Sequence, residues 1–233
     1  MSGRLVVPDE RALARRAAEW LVERTRAAVA ARGSCSVALA GGSTPRATYE
    51  VLATSALAAG VPWGAIDWFF GDERGVPFDH PESNYRLAAE TLFAGRPEAL
   101  ARAWRMPADA ADAVVAAQTY GQLLADPLDV VVLGMGEDGH TASLFPGSPA
   151  LEVRDARVVP VTGPLPPLRR MTITPPVIEG ARDVLVLVAG AGKAAMLARA
   201  LEGPLDARTI PVQLARDRMF IVDVAAASAL ARP

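Results

Sequence analysis

His140 is one of two histidines in a chain of 233 residues, and it lies in the segment Gly134-Met135-Gly136-Glu137-Asp138-Gly139-His140-Thr141-Ala142-Ser143-Leu144-Phe145-Pro146, directly after an apolar run. Unperturbed imidazole titrates near ~6.5, so it can take a proton at neutral pH. The glycines let backbone approach a ligand, and Asp138 is near enough in sequence either to orient the ring or to cap the loop. The segment also contains a formal G-x-G-x-x-G, which would suggest a dinucleotide. Pro146 comes too soon for the crossover helix of a dinucleotide unit, and no acid follows at the expected distance. A lone histidine is usually structural; on a glycine-rich loop after a strand, the reading is a general base.

Three further groups of residues carry possible chemistry. Ala40-Gly41-Gly42-Ser43-Thr44-Pro45 follows an apolar run and precedes helical spacing. With Thr44 as N-cap and Pro45 as first helical residue, it would bring backbone N–H groups and the Ser43 hydroxyl to an anion; a tight, well-capped turn is the plain alternative. Gly71-Asp72-Glu73-Arg74 places three charges after another apolar run, either as ligand contacts or as a solvated turn, and the nearby His80 reads as a structural turn residue. Arg169-Arg170 and Gly190-Ala191-Gly192-Lys193 could deliver an arginine and a lysine from separate loops to a phosphate. The second of these is not a Walker loop, because Leu187 stands where its first glycine belongs. The doubled arginine leaves open which of the two faces a ligand.

These residues need elements to position them. Apolar, branched runs at 36–40, 66–70, 128–133, 157–161, 183–188 and 219–222 read as buried strands. Stretches with helical spacing lie at 9–31, 45–59, 83–93, 108–125 and 191–201. This alternation predicts an α/β fold, a mostly parallel sheet with helices on both faces, in one domain spanning 1–233. Ligands of such sheets bind beyond the carboxyl ends of the strands, where the glycine-rich segments fall. The proline-rich piece 163–167 reads as a surface loop rather than a hinge.

Bulk properties narrow the classes. With 51% hydrophobic and 21% charged residues the composition is globular. A net charge of -2 gives no reason to expect nucleic acid or membrane as partner, and a bound phosphate would need a local cluster of donors. One cysteine and two histidines cannot build a Cys/His metal cluster. No signal-peptide core and no membrane-length apolar run are evident, so the expected location is cytoplasmic. The oligomeric state is left open, and a monomer would suffice.

In order along the chain, Gly41-Gly42-Ser43-Thr44-Pro45, Asp72-Glu73-Arg74 with Ser83-Asn84-Tyr85, the segment Gly134 through Pro146, and Arg170-x-Thr172 leading to Gly192-Lys193-Ala194 resemble the motifs of the 6-phosphogluconolactonases, within the glucosamine-6-phosphate isomerase/6-phosphogluconolactonase superfamily. The resemblance runs from the first helix to the last strand. It implies a fold shared with glucosamine-6-phosphate deaminase and hydrolysis of 6-phospho-D-glucono-1,5-lactone to 6-phosphogluconate in the oxidative pentose phosphate pathway, with no metal or organic cofactor. It also implies that His140 activates water, that Arg74 lies near the substrate, and that Ser43, Arg170 and Lys193 contact phosphate. Gly41, Gly42 and Asp72 join the expected binding set, and Arg74 and Asp138 the catalytic one. The rival is an amino-sugar-phosphate deaminase/isomerase, whose histidine is followed by a further acid for ring opening; Ala142-Ser143-Leu144-Phe145-Pro146 supplies none. A non-enzymatic sugar-phosphate sensor would need a DNA-binding module for which the chain has no room.

Overall fold

A computed structural model describes residues 3–54 and 56–231. Positions 1, 2, 55, 232 and 233, which fall within the predicted 1–233 domain and, for 55, within the predicted helix 45–59, lie outside the described residues. The strands are β1 (Gly3–Val7), β2 (Cys35–Leu39), β3 (Ile66–Phe70), β4 (Asp72–Arg74), β5 (Val130–Gly134), β6 (Val158–Thr162), β7 (Arg169–Ile173), β8 (Asp183–Val188) and β9 (Met219–Asp223). The helices are α1 (Glu10–Arg32), α2 (Ser43–Thr54), α3 (Asn84–Thr91), α4 (Pro97–Leu100), α5 (Ala113–Leu123), α6 (Pro175–Gly180), α7 (Ala194–Glu202) and α8 (Val224–Ala227).

Six strands form a parallel sheet in the order β1-β9-β8-β5-β2-β3. Its inner members are continuous apolar runs because helices cover both faces: every residue of β2 is buried, as are the last five of β8. α1 starts where the Asp9 carboxylate accepts the Ala12 N–H at 2.7 Å, and it turns Leu13, Ala17, Leu21 and Ala28 inward. The chain leaves β2 toward β3 on one side, then returns to lay β5 on the other. The strand order therefore reverses between β2 and β5, and a crevice opens there beyond the carboxyl ends.

The sequence reading differs from the structure in identifiable places. The run 157–161 is not in the parallel sheet; as β6 it pairs antiparallel with β7, which pairs antiparallel with β4, in a separate sheet of order β4-β7-β6. Pro160 has no N–H to donate and suits that edge position. β1, β4 and β7 were not predicted: β1 is a short edge strand, and the other two open on charged residues without an apolar run. α2 begins at Ser43, not Pro45, because the Gly42 carbonyl accepts the Arg46 N–H at 3.1 Å; Gly42 is the cap, and Thr44 and Pro45 lie within the first turn. α5 starts late, at Ala113, where Asp112 accepts the N–H groups of Val114 and Val115. Residues 163–167 form the β6–β7 hairpin loop, closed by the Gly163 N–H on the Leu168 carbonyl at 2.7 Å.

Candidate functional site

A cleft of ≈ 250 Å³ lies at the carboxyl ends of β2, β5 and β8, roofed by β4 and β7 of the small sheet. Gly41, Gly42, Ser43, Asp72, Arg74, His140, Arg170 and Lys193 all line it, from segments far apart in sequence.

The floor after β2 is set by backbone. Tyr49 Oη donates to the Ala40 carbonyl at 2.9 Å and accepts the Ala40 N–H at 3.0 Å, pinning the strand end. Gly42 then takes φ +100°, open to glycine at little cost, and this turn starts α2 beside the cleft. The first N–H groups of the helix have no intrahelical acceptor, so Ser43 offers a hydroxyl and a backbone donor at the positive end of the helix dipole. Gly41 has no room for a side chain: a Cβ would lie 1.8 Å from Asn84 Oδ1.

Strand alternation sorts the acidic and basic residues of the roof. Side chains two apart share a face, so Asp72 and Arg74 look into the cleft while Glu73 looks away. Glu73, 1% exposed, accepts the N–H groups of Arg74, Asn84 and Tyr85 and the Ser83 hydroxyl at 2.7–3.1 Å, which fastens α3 under β4. Burial pushes its carboxyl above the ordinary range against three backbone donors that lower it. Asp72 accepts the Ser143 hydroxyl at 2.6 Å and an Asn84 side-chain N–H at 3.1 Å, tying the roof to the loop after β5.

The same alternation on β7 decides between the two arginines. Arg170 faces the cleft; Arg169 turns outward and donates to the Ala110 carbonyl at 2.7 Å. Arg170 stands directly across from Arg74 in the β4–β7 register. Burial, then the Arg74 charge, push the Arg170 guanidinium below its ordinary value, with Asp72 and Glu82 opposing. Two like charges on opposed positions oppose folding unless a counter-charge joins them. Arg74 gives one N–H to the Glu82 carbonyl at 2.6 Å, and Arg170 gives one to the Pro167 carbonyl at 3.2 Å. Among the described residues, neither they nor Lys193 form an ion pair, so the cleft holds three cations against Asp72. Lys193 reaches it from the turn after β8, where the Asp223 carboxylate holds the Gly190 N–H.

His140 faces this cluster from the loop after β5. Its Nδ1 is 2.6 Å from Asp138 Oδ1, which also accepts the His140 backbone N–H at 3.1 Å. Asp138 does not line the cleft; it holds the ring from behind. Partial burial alone would raise the Asp138 carboxyl, but the His140 backbone N–H and imidazole together hold it below the ordinary carboxylate range. An ionised carboxylate at Nδ1 favours the tautomer with hydrogen there, leaving Nε2 as the acceptor. The loop is itself held: the Thr141 hydroxyl donates to the Gly134 carbonyl at 2.8 Å, the Ser143 N–H meets Thr172 Oγ1, and Ala142 sits at φ +48°. His80 belongs to a turn away from the cleft, its Nδ1 accepting the Glu82 N–H at 3.2 Å.

Sequence reasoning gave no role to Ser143, Asn84, Thr172 or Phe145. All four lie inside motifs it singled out, but only the folded register shows what they touch. Among the described residues, no group of three or more His, Cys, Asp or Glu side chains gathers in a way that could hold a metal, and no helix is long and apolar enough to cross a membrane.

A family model described as glucosamine-6-phosphate isomerases/6-phosphogluconolactonase matches residues 8–222. The chain belongs to the glucosamine-6-phosphate isomerase/6-phosphogluconolactonase family. Within that family it is 40% identical over 218 residues to a 6-phosphogluconolactonase of Synechocystis sp., covering 89% of this chain and 88% of that one. It is 36% identical to a 6-phosphogluconolactonase of Streptomyces coelicolor, covering 96% and 93%. Its fold is similar to the solved 6-phosphogluconolactonase of Trypanosoma cruzi, with a TM-score of 0.86 and 31% identity over 99% of this chain and 97% of that one. A monomeric glucosamine-6-phosphate deaminase matches with a TM-score of 0.83 at 22% identity, which speaks for the shared family fold alone.

Proposed function

We propose that this protein hydrolyses 6-phospho-D-glucono-1,5-lactone to 6-phosphogluconate, with His140 as general base. The observation that carries the reading is one imidazole, fixed through Nδ1 by Asp138, facing three unpaired cations across a cleft the size of a small sugar derivative. The relatives named above support the lactone as substrate.

The chemistry follows from the residues. His140 Nε2 accepts a proton from water as the water oxygen bonds to the lactone carbonyl carbon, and the carbonyl π-electrons move onto its oxygen. Collapse of this intermediate breaks the bond to the ring oxygen, which takes the proton back from the imidazolium. The carboxylic acid formed then ionises, so one proton is released per turnover. A positioned base supplies ~10²–10⁴-fold. Arg170, Lys193 and Ser43 hold the distant phosphate, Arg170 offering two in-plane donors and Lys193 a point charge. Anchoring there keeps the carbonyl in line with the water near His140. Arg74, Asp72, Gly41 and Gly42 complete the surface against the sugar.

The test is to offer purified protein 6-phosphogluconolactone and, separately, glucosamine 6-phosphate, following acid and ammonia release in parallel. The reading expects acid release from the first, above the spontaneous rate, and no ammonia from the second. Ammonia from glucosamine 6-phosphate without accelerated lactone opening would replace the lactonase by a deaminase.

A further inference from the structure

The Nδ1 bond and the covalent link at Cγ hold one edge of the imidazole, and the groups packed on the ring decide where Nε2 points. Two surfaces close on the ring. On one side is the backbone of Gly136, where a Cβ would stand 2.1 Å from His140 Nδ1. Against the ring also lies Phe145, its centroid 5.0 Å away and its plane tilted by 48°. Phe145 is 8% exposed and does not line the cleft, so it has no contact of its own to offer a ligand there. The Ser148 N–H on its carbonyl at 3.0 Å fixes its backbone in the turn through Gly147.

Phe145 touches a second member of the site. The Arg170 guanidinium carbon lies over its ring, 5.6 Å from the centroid. Arg170 comes from the antiparallel sheet and His140 from the loop after a strand of the parallel sheet, so this one ring spans the two. An aromatic face attracts a guanidinium through its quadrupole without occupying the in-plane N–H donors. A carboxylate in the same place would hold the arginine equally well but would neutralise it and compete with an anionic ligand.

We infer that Phe145 is a positioning residue that sets the distance between the base and the anion-binding arginine, holding His140 in plane and Arg170 in place without taking up the donors that Arg170 does not give to Pro167. The kinetic part rests on the lactonase reading above; the geometric part does not.

The test uses Phe145→Leu, which keeps an apolar side chain and removes the aromatic face, and Phe145→Tyr, which restores the face. With only two histidines in the chain, the ring protons of His140 can be assigned in the NMR spectrum by comparison with His140→Asn. Leucine at 145 should remove the ring-current displacement of the His140 protons and leave those of His80 unmoved. It should also weaken binding of inorganic phosphate, read by the same spectra, by roughly 2- to 10-fold, the range expected for one lost cation–π contact. In turnover, kcat should fall on phosphorylated and unphosphorylated lactone alike, and KM should rise on the phosphorylated one only. Tyrosine should restore all three. Unchanged His140 resonances and unchanged phosphate affinity in Phe145→Leu would overturn the inference, as would equal losses in both variants at matched thermal stability. Should the wild type open no lactone, the lactonase reading fails, and the spectra and phosphate titration still decide the role of Phe145.

Discussion

One methyl group added at position 136 would test whether the placement of the imidazole matters as much as its presence. A Cβ at Gly136 would stand 2.1 Å from His140 Nδ1, 2.3 Å from Cε1 and 2.5 Å from Asp138 Oδ1. Ordinary contact begins at 3.4 Å, so the ring must retreat by about 1.3 Å, and the Asp138–His140 bond must lengthen or break with it. Gly136 is outside the left-handed region and the obstructing atoms belong to side chains, so Gly136→Ala should fold. Misplacing a catalytic group by ~1 Å costs on the order of 10²-fold. The expected result is therefore a fall in kcat of about 10²-fold on the phosphorylated lactone, with KM changed little because Arg170, Lys193 and Ser43 come from other segments. Acid release followed in a weakly buffered indicator assay, corrected for spontaneous opening, measures both constants, and circular dichroism checks the fold. A folded Gly136→Ala enzyme with near-normal kcat would refute the reasoning.

Three other outcomes follow from the same geometry. Lys193→Ala should weaken the phosphorylated lactone far more than the unphosphorylated one in parallel KM measurements, and an equal loss on both would remove its phosphate role. Glu73→Ala strands the buried Ser83 hydroxyl and the N–H groups of Asn84 and Tyr85; at ~1–3 kcal/mol for each unsatisfied group, partly relieved by relaxation, the loss should be about 3 kcal/mol, seen as a Tm lower by roughly 6–12 °C. The Asp138 carboxyl is held below its ordinary pKa, so its contribution to stability is present above the unfolded value of ~3.9 and fades as pH falls through the lowered native one. In urea melts, Asp138→Asn should therefore be less stable than wild type at pH 7, with a gap that starts to narrow only as pH falls below ~3.9; a gap that widens on acidification would reverse the assigned direction.

The parallel sheet was legible because β2, β5, β8 and β9 are buried on both faces, and such strands must be apolar throughout. The antiparallel roof was not. β4 consists of Asp72, Glu73 and Arg74, and no hydrophobic pattern marks three charged residues as a strand. Its consequences were hidden with it: Glu73 caps α3 while Asp72 and Arg74 face the cleft, and the Arg169/Arg170 ambiguity resolves only through a strand period of two. The glycines and His140 stood out because their types are unusual at a strand end. Phe145 did not, since an aromatic residue before a proline has many ordinary uses and its two partners are contacts of the folded chain.

Replacement of His140 by Asn or Gln tests the central claim most directly. Either variant should lower kcat by ~10²–10⁴-fold and change KM little, because the cations opposite remain in place. The acidic limb of the wild-type pH–rate profile, corrected for spontaneous lactone opening, should report protonation of the base and should vanish in the variant. A variant that keeps near-normal kcat, or that retains the limb unchanged, would contradict His140 as the base.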